Sequence, residues 1–144
     1  MSIDLRVHPK FSARVGRTRL QRVAQKTLRA EKSRATLTIY ITTNAEIRKL
    51  NRQFHATNAA TDVLAFPMQP NDALPHLQHY LGDIIISYER ARVQARKAGW
   101  RIADELDLLA VHGILHLLGY DDRTPRKRAM MWKRQAEILG RVIA

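Results

Sequence analysis

Leu106-Asp107-Leu108-Leu109-Ala110-Val111-His112-Gly113-Ile114-Leu115-His116-Leu117-Leu118-Gly119-Tyr120-Asp121-Asp122 is the run around which the rest of the chain is organised. It reads as a helix that is apolar around most of its circumference, a pattern that belongs in a core. His112 and His116 are the exceptions. Four residues apart, they stand one above the other on one helical face, their Cβ atoms about 5–6 Å apart. That spacing lets two imidazoles share one metal ion, as in helical His-x-x-x-His zinc sites. Gly119 ends the helix, and the turn Tyr120-Asp121-Asp122 can fold a carboxylate back toward the two rings. Two neutral nitrogens and one carboxylate leave a tetrahedral zinc with an open fourth position, the pattern of a catalytic site. The alternative is a pair of core histidines hydrogen-bonded inside a buried helix. A metal satisfies both aligned imidazoles at once.

Composition narrows the classes further. The length of 144 residues suits one domain, residues 1–144, with a real core. The 45% apolar fraction fits a globular chain. With no cysteine, disulfides and thiolate metal ligands are both excluded, which leaves His, Asp and Glu. The start lacks an apolar run of signal-peptide length, and the longest apolar run is broken by His112 and His116. The expectation is a soluble, cytoplasmic protein with no membrane partner.

The net charge of +12 points to a polyanion, with RNA or DNA first. Residues 1–34 carry ten Lys/Arg against two acids, whereas 35–100 carry seven against five and 101–144 eight against six. Basic charge on an N-terminal element steers a phosphate backbone without reading sequence. An anionic membrane surface is the lesser alternative.

In chain order, Ile3, Leu5 and Val7 alternate with polar residues, so residues 2–8 read as a strand that Pro9 ends. Residues 15–32 read as a helix, with Val15, Leu20, Val23, Ala24, Thr27 and Leu28 on one stripe and basic residues on much of the rest. Residues 36–42 are β-branched and alternating, a second strand. Asn44 caps a short helix over 45–53. Residues 61–66 form a third strand stopped by Pro67, and 68–80 a loop. Residues 82–87 are apolar enough for a strand buried on both faces. Helices follow over 88–98, ended by Gly99, and over 101–118, with Asp104 and Glu105 in the acidic first turn. Thr124 then caps a last helix, which has Pro125 at its first position and runs to about Val142. The order predicts an α+β fold: a small four-stranded mixed sheet packed with about five helices.

Three segments carry a family resemblance. His112-Gly113-Ile114-Leu115-His116-Leu117-Leu118-Gly119-Tyr120-Asp121 resembles the signature of the YbeY family of bacterial metallo-endoribonucleases, which usually ends in a third His where Asp122 stands here. Thr61-Asp62-Val63-Leu64-Ala65-Phe66-Pro67 resembles the family's Thr-Asp-Val-Leu-Ser-Phe-Pro, and Leu81-Gly82-Asp83-Ile84 its Leu-Gly-Asp-Ile strand. The resemblance spans about residues 50–122. It implies a mixed sheet with the metal site at the end of a central helix, and one zinc per chain on His112, His116 and Asp122. Between the two aspartates it selects Asp122 as ligand and leaves Asp121 to orient the turn. It further implies a single-strand-specific endoribonuclease acting in ribosomal RNA maturation, at the small-subunit RNA 3′ end, and in ribosome quality control. The ribosome or its small subunit is then the partner.

His55 stands where the family commonly has an Arg near the cleft. Protonated, it would pair with phosphate or shuttle a proton, which makes it the further catalytic candidate. Arg52 and Arg123 are the alternative sources of a guanidinium, and Asn58 and Ala65 also depart from the family pattern. Phe54 and Phe66 are candidates to stack on bases. Glu105, two turns before His112, is expected to pair with a basic group or to tune the metal site. The base that follows the first His in His-Glu-x-x-His proteases is replaced by Gly113. The rival readings are a metallohydrolase of another class, such as a protease, and a non-catalytic RNA-binding ribosome assembly factor with a structural metal.

Overall fold

A computed structural model describes residues 3–55, 61–68 and 79–140, with His55 described by its backbone alone. Strand β1 (Ile3–Val7) buries Ile3 and Leu5 and turns Asp4 and Arg6 to solvent. Past it, Pro9–Arg14 forms a short 3₁₀ helix that the sequence pattern does not announce. It exists to bury Phe11, whose ring stacks on Tyr88 at 4.4 Å between centroids. Helix α1 (Arg17–Ala30) therefore begins two residues later than expected. Strand β2 (Thr36–Thr42) matches its predicted span, and α2 (Asn44–His55) runs two residues beyond its predicted end. Strands β3 (Val63–Pro67) and β4 (Tyr80–Ser87) follow, then α3 (Tyr88–Ala98), α4 (Ile102–Leu117) and α5 (Pro125–Leu139). Most of the expected 68–80 loop and the predicted end of the last helix at Val142 lie outside the described residues.

The sheet order is β1-β2-β4-β3. The first three strands are parallel and β3 runs antiparallel to β4, so the sheet is mixed, as expected. Pro67 closes β3, an edge strand, where a missing N–H is tolerated. β4 is buried on both faces. Ile84 and Ile86 join the main core with Ile39, Ile41 and residues of α1 and α4, while Ile85 packs with Ile47 and Leu64 on the other side.

Helix α4 is the hub, touching α1, α3, α5, β3 and β4. It packs tightly on the sheet at Gly113, where an added Cβ would lie 2.8 Å from Cγ2 of Ile84. α1 is tied to its N-terminal half by one guanidinium. Nε of Arg19 donates to Asp107 at 2.9 Å and its Nη2 to Asp104 at 2.8 Å. Arg19 thus faces carboxylates of the same chain, and the basic stripe available to a partner on α1 is narrower than the charge count suggests.

Gly113→Ala should destabilise the fold by about 1–3 kcal/mol, the usual cost of overpacking a tight core. Chemical denaturation followed by circular dichroism checks this. An unchanged midpoint would mean that α4 has room to move off Ile84.

Candidate metal centre

His112 and His116 sit in the last two turns of α4, their rings edge to face with centroids 4.7 Å apart. The helix ends in a Schellman motif: Tyr120 N–H bonds to Leu115 O at 3.0 Å and Gly119 N–H to His116 O at 3.1 Å. Gly119 takes φ +107°, a conformation that other residues rarely adopt. That turn reverses the chain and carries Asp121 and Asp122 back beside the rings.

The two aspartates then separate. Oδ1 of Asp121 accepts the Arg123 N–H at 3.1 Å, and its Oδ2 lies 3.4 Å from Lys127 Nζ. The backbone hydrogen bond, with Lys127 adding to it, holds the Asp121 carboxyl below its ordinary pKa. Asp121 braces the turn, and Asp122 is left to face the rings. Ligand atoms of His112, His116 and Asp122 all lie within 4.8 Å of one another, the single cluster of this kind among the described residues.

A residue that sequence reasoning missed completes the arrangement. Nδ1 of His112 lies 2.7 Å from Oε1 of Gln135, on α5. An amide oxygen only accepts, so Nδ1 donates here, and in the neutral ring that leaves Nε2 as the nitrogen able to hold a metal. Metal-binding histidines are oriented in this way. Gln135 is 3% exposed, between Met131 and Ile138 on the buried face of α5. Burial, with the neighbouring His112 adding to it, lowers the pKa of His116 and so favours its neutral, ligating form. Two imidazoles, one oriented by an amide, and one carboxylate, with no thiolate, make a donor set that fits zinc or another first-row divalent ion.

Two cavities meet at His112. The smaller, about 310 Å³, runs over β3 and is lined by Asn51, Thr61, Val63, Leu64, Ala65, Gly113 and both histidines. The larger, about 760 Å³, lies between α3, α4 and α5. Glu105 lines it, and the expected basic partner is not what Glu105 has. Its Oε1 accepts the Trp100 indole N–H at 2.9 Å. Burial raises its pKa, and that hydrogen bond offsets part of the rise.

Other candidates are scattered. His55 ends α2, and its side chain lies outside the described residues, as does Asn58. Arg52 is exposed on α2, and Arg123 is exposed in the turn after Asp122. Phe54 is 65% exposed and meets Phe66 edge-on at 5.6 Å, so it is a surface ring and not core.

Comparison with known proteins places nearly the whole chain among relatives of one family. The profile of the family described as "Endoribonuclease YbeY" matches residues 7–143. The chain is 46% identical over 127 residues to an "Endoribonuclease YbeY" of Chloroflexus aggregans, covering 83% of each chain. It is 38% identical over 144 residues to one of Roseiflexus castenholzii, covering 96% of this chain and 91% of the relative. Among solved structures, a Thermotoga maritima protein studied in solution superposes with a TM-score of 0.64 at 26% identity, over 95% of this chain and 86% of that one.

Zinc titration of the metal-free protein against a competing chelator should separate these roles. His112→Ala, His116→Ala and Asp122→Ala should each lose most of the binding, whereas Asp122→His should keep it. Gln135→Leu should weaken affinity by about 10–100-fold, as is usual when the residue orienting a ligand is removed. Wild-type affinity in folded Gln135→Leu would mean that the amide does not orient the ring.

Proposed function

The chain belongs to the YbeY family, and on that premise we propose that it is a zinc-dependent endoribonuclease that cleaves single-stranded RNA. Its place is in ribosomal RNA maturation at the small-subunit RNA 3′ end and in ribosome quality control, in the cytoplasm, with the ribosome as partner. The observation that carries this reading is the His112–His116–Asp122 cluster at the junction of two cavities, in a chain of net charge +12. No helix among the described residues is long and apolar enough to cross a membrane.

His112, His116 and Asp122 would hold one divalent ion, with Gln135 fixing the first ring. When bound, such an ion supplies Lewis acidity toward a phosphoryl group and activates water. The protein's own part is to bring the strand there. Arg22, Lys26 and Arg29 are exposed along one face of α1, and Arg123, Arg126 and Arg128 are exposed around the turn that carries Asp122. Side chains of this kind hold phosphates without reading bases. His55 would pair with phosphate or move a proton, and Arg52 and Arg123 are the alternatives for the first of these tasks.

The protease rival is weakened by Gly113. A Glu there would drive its Cβ into Ile84, so that base has no place in this fold.

Incubation of single-stranded RNA with the purified protein should give cleavage that a chelator stops and added zinc restores, with casein left intact. RNA binding without cleavage by fully metal-loaded protein would favour the non-catalytic assembly factor instead. Separately, reversing Arg22, Lys26 and Arg29 to Glu should weaken RNA affinity and flatten its salt dependence, by about 0.7 in log–log slope for each phosphate that is no longer neutralised. Metal content should not change. An unaltered slope would make α1 a solvated face.

A further inference from the structure

The larger cavity has features that a metal site does not require. It shares the His112 wall with the cluster, and its volume of about 760 Å³ falls within the usual range for small-molecule sites. Two indoles line it. Trp132, on α5, is 39% exposed, so part of its ring is open to the cavity's solvent side. Glu105 also lines it and is 5% exposed. One of its carboxylate oxygens takes the Trp100 N–H, and among the described residues no cation pairs with it. A carboxylate taken out of water in this way needs donors. Asp62 lines the same space, so an anionic ligand is disfavoured inside it, while Lys97 stands exposed on its wall.

We propose that this cavity receives one unstacked guanine base of the bound RNA, stacked on Trp132 and read by the carboxylate of Glu105. Single-stranded RNA is characteristically recognised by stacking its bases on aromatic rings and bonding their edges. Guanine suits Glu105 better than the other bases because its N1–H and N2–H₂ stand side by side as donors. Adenine and cytosine set an acceptor nitrogen next to their amino group, and uracil flanks its single N–H with two carbonyls. Lys97 would meet a phosphate of the same nucleotide at the mouth. The base is thereby held on one side of the metal cluster, which would position the neighbouring phosphate over it. The rise that burial causes in the Glu105 pKa fits a carboxylate without a resident cation.

This rests on the RNA-directed reading above, but its test needs no cleavage. The full-length protein is titrated with guanosine, inosine and adenosine 5′-monophosphates, and binding is read by quenching of tryptophan fluorescence and by calorimetry. Inosine lacks only the N2 amino group and should bind roughly tenfold more weakly than guanosine, as loss of one hydrogen bond to a charged group implies. Trp132→Ala should weaken guanosine binding roughly tenfold. Glu105→Gln should abolish the difference between guanosine and inosine. If burial keeps Glu105→Gln from folding, the wild-type comparison and the surface variant Trp132→Ala still decide. Equal affinity for the three nucleotides, or unchanged affinity in Trp132→Ala, overturns the proposal. Protein that cleaves RNA without discriminating guanine would lose this subsite and keep its activity. Protein that discriminates guanine but cleaves nothing would keep the subsite and lose the endoribonuclease reading.

Discussion

Everything in this fold is referred to the close approach of Gly113 to Ile84. Because Gly113 has no side chain, that of Ile84 fills the seam between α4 and β4, and a helix rotated to bring a larger residue there would clash. Successive residues turn by about 100°, so fixing Gly113 against the sheet swings the neighbouring His112 and His116 sideways, over β3 and toward α5. The cavity residues agree with this: the histidines share one wall with Val63, Leu64 and Ala65, and His112 alone also faces the α3–α5 side. The tight helix–sheet seam thus fits the side on which the imidazoles lie.

The same helix carries an unusual load of buried polarity, since Asp104, Glu105 and Asp107 are all covered. Asp104, Asp107, Glu105 and His112 each have a partner outside the helix. Arg19 of α1 spans Asp104 and Asp107, and the two hydrogen bonds raise its own pKa. Trp100, from the turn before α4, bonds Glu105, and Gln135 of α5 bonds His112. A buried polar group left unpaired is costly, so these partners act as locating pins. α1 and α5 are registered on α4 by directed bonds as well as by the apolar packing of Leu20, Ala24, Met131 and Ile138.

How much of this was legible in the chain follows from the range of each signal. The histidine pair, the Gly119 stop, the Thr124–Pro125 start and the doubly buried strand at Ile84–Ile86 are local patterns of period or capping, and they are found where expected. Arg19 was misleading because the carboxylates it meets lie 85 and 88 residues downstream, out of reach of any local pattern. On sequence alone it is one more cation on a basic helix. Gln135 left a trace that could have been followed, since it occupies the same stripe as Met131 and Ile138, an amide where the pattern asks for an apolar residue. The 3₁₀ turn at Pro9–Arg14 was hidden because Pro9 reads equally well as a plain stop to a strand. Glu105 was visible as a first-turn acid two turns before His112, but its indole partner is five residues earlier, outside the spacing at which helical side chains meet.

Asp122 raises a last question of charge. A divalent ion held by three imidazoles keeps its full +2, whereas two imidazoles and a carboxylate leave +1, a weaker attraction for a phosphate backbone. Cations crowd the turn that supplies the carboxylate. Arg128 donates to the Asp122 carbonyl at 3.2 Å, Lys127 lies against Asp121, and Arg123 and Arg126 are exposed beside them. Charge that a ligating Asp122 would withdraw is thus matched by charge placed a few residues away. The two are not equivalent. Charge on the ion would act on the one phosphoryl group that reaches it, while charge on exposed arginines would act on the strand as a whole and be screened by salt. On the function proposed above, a ligating aspartate in this position would shift the burden of holding RNA from the metal to the surface, where ionic strength governs it.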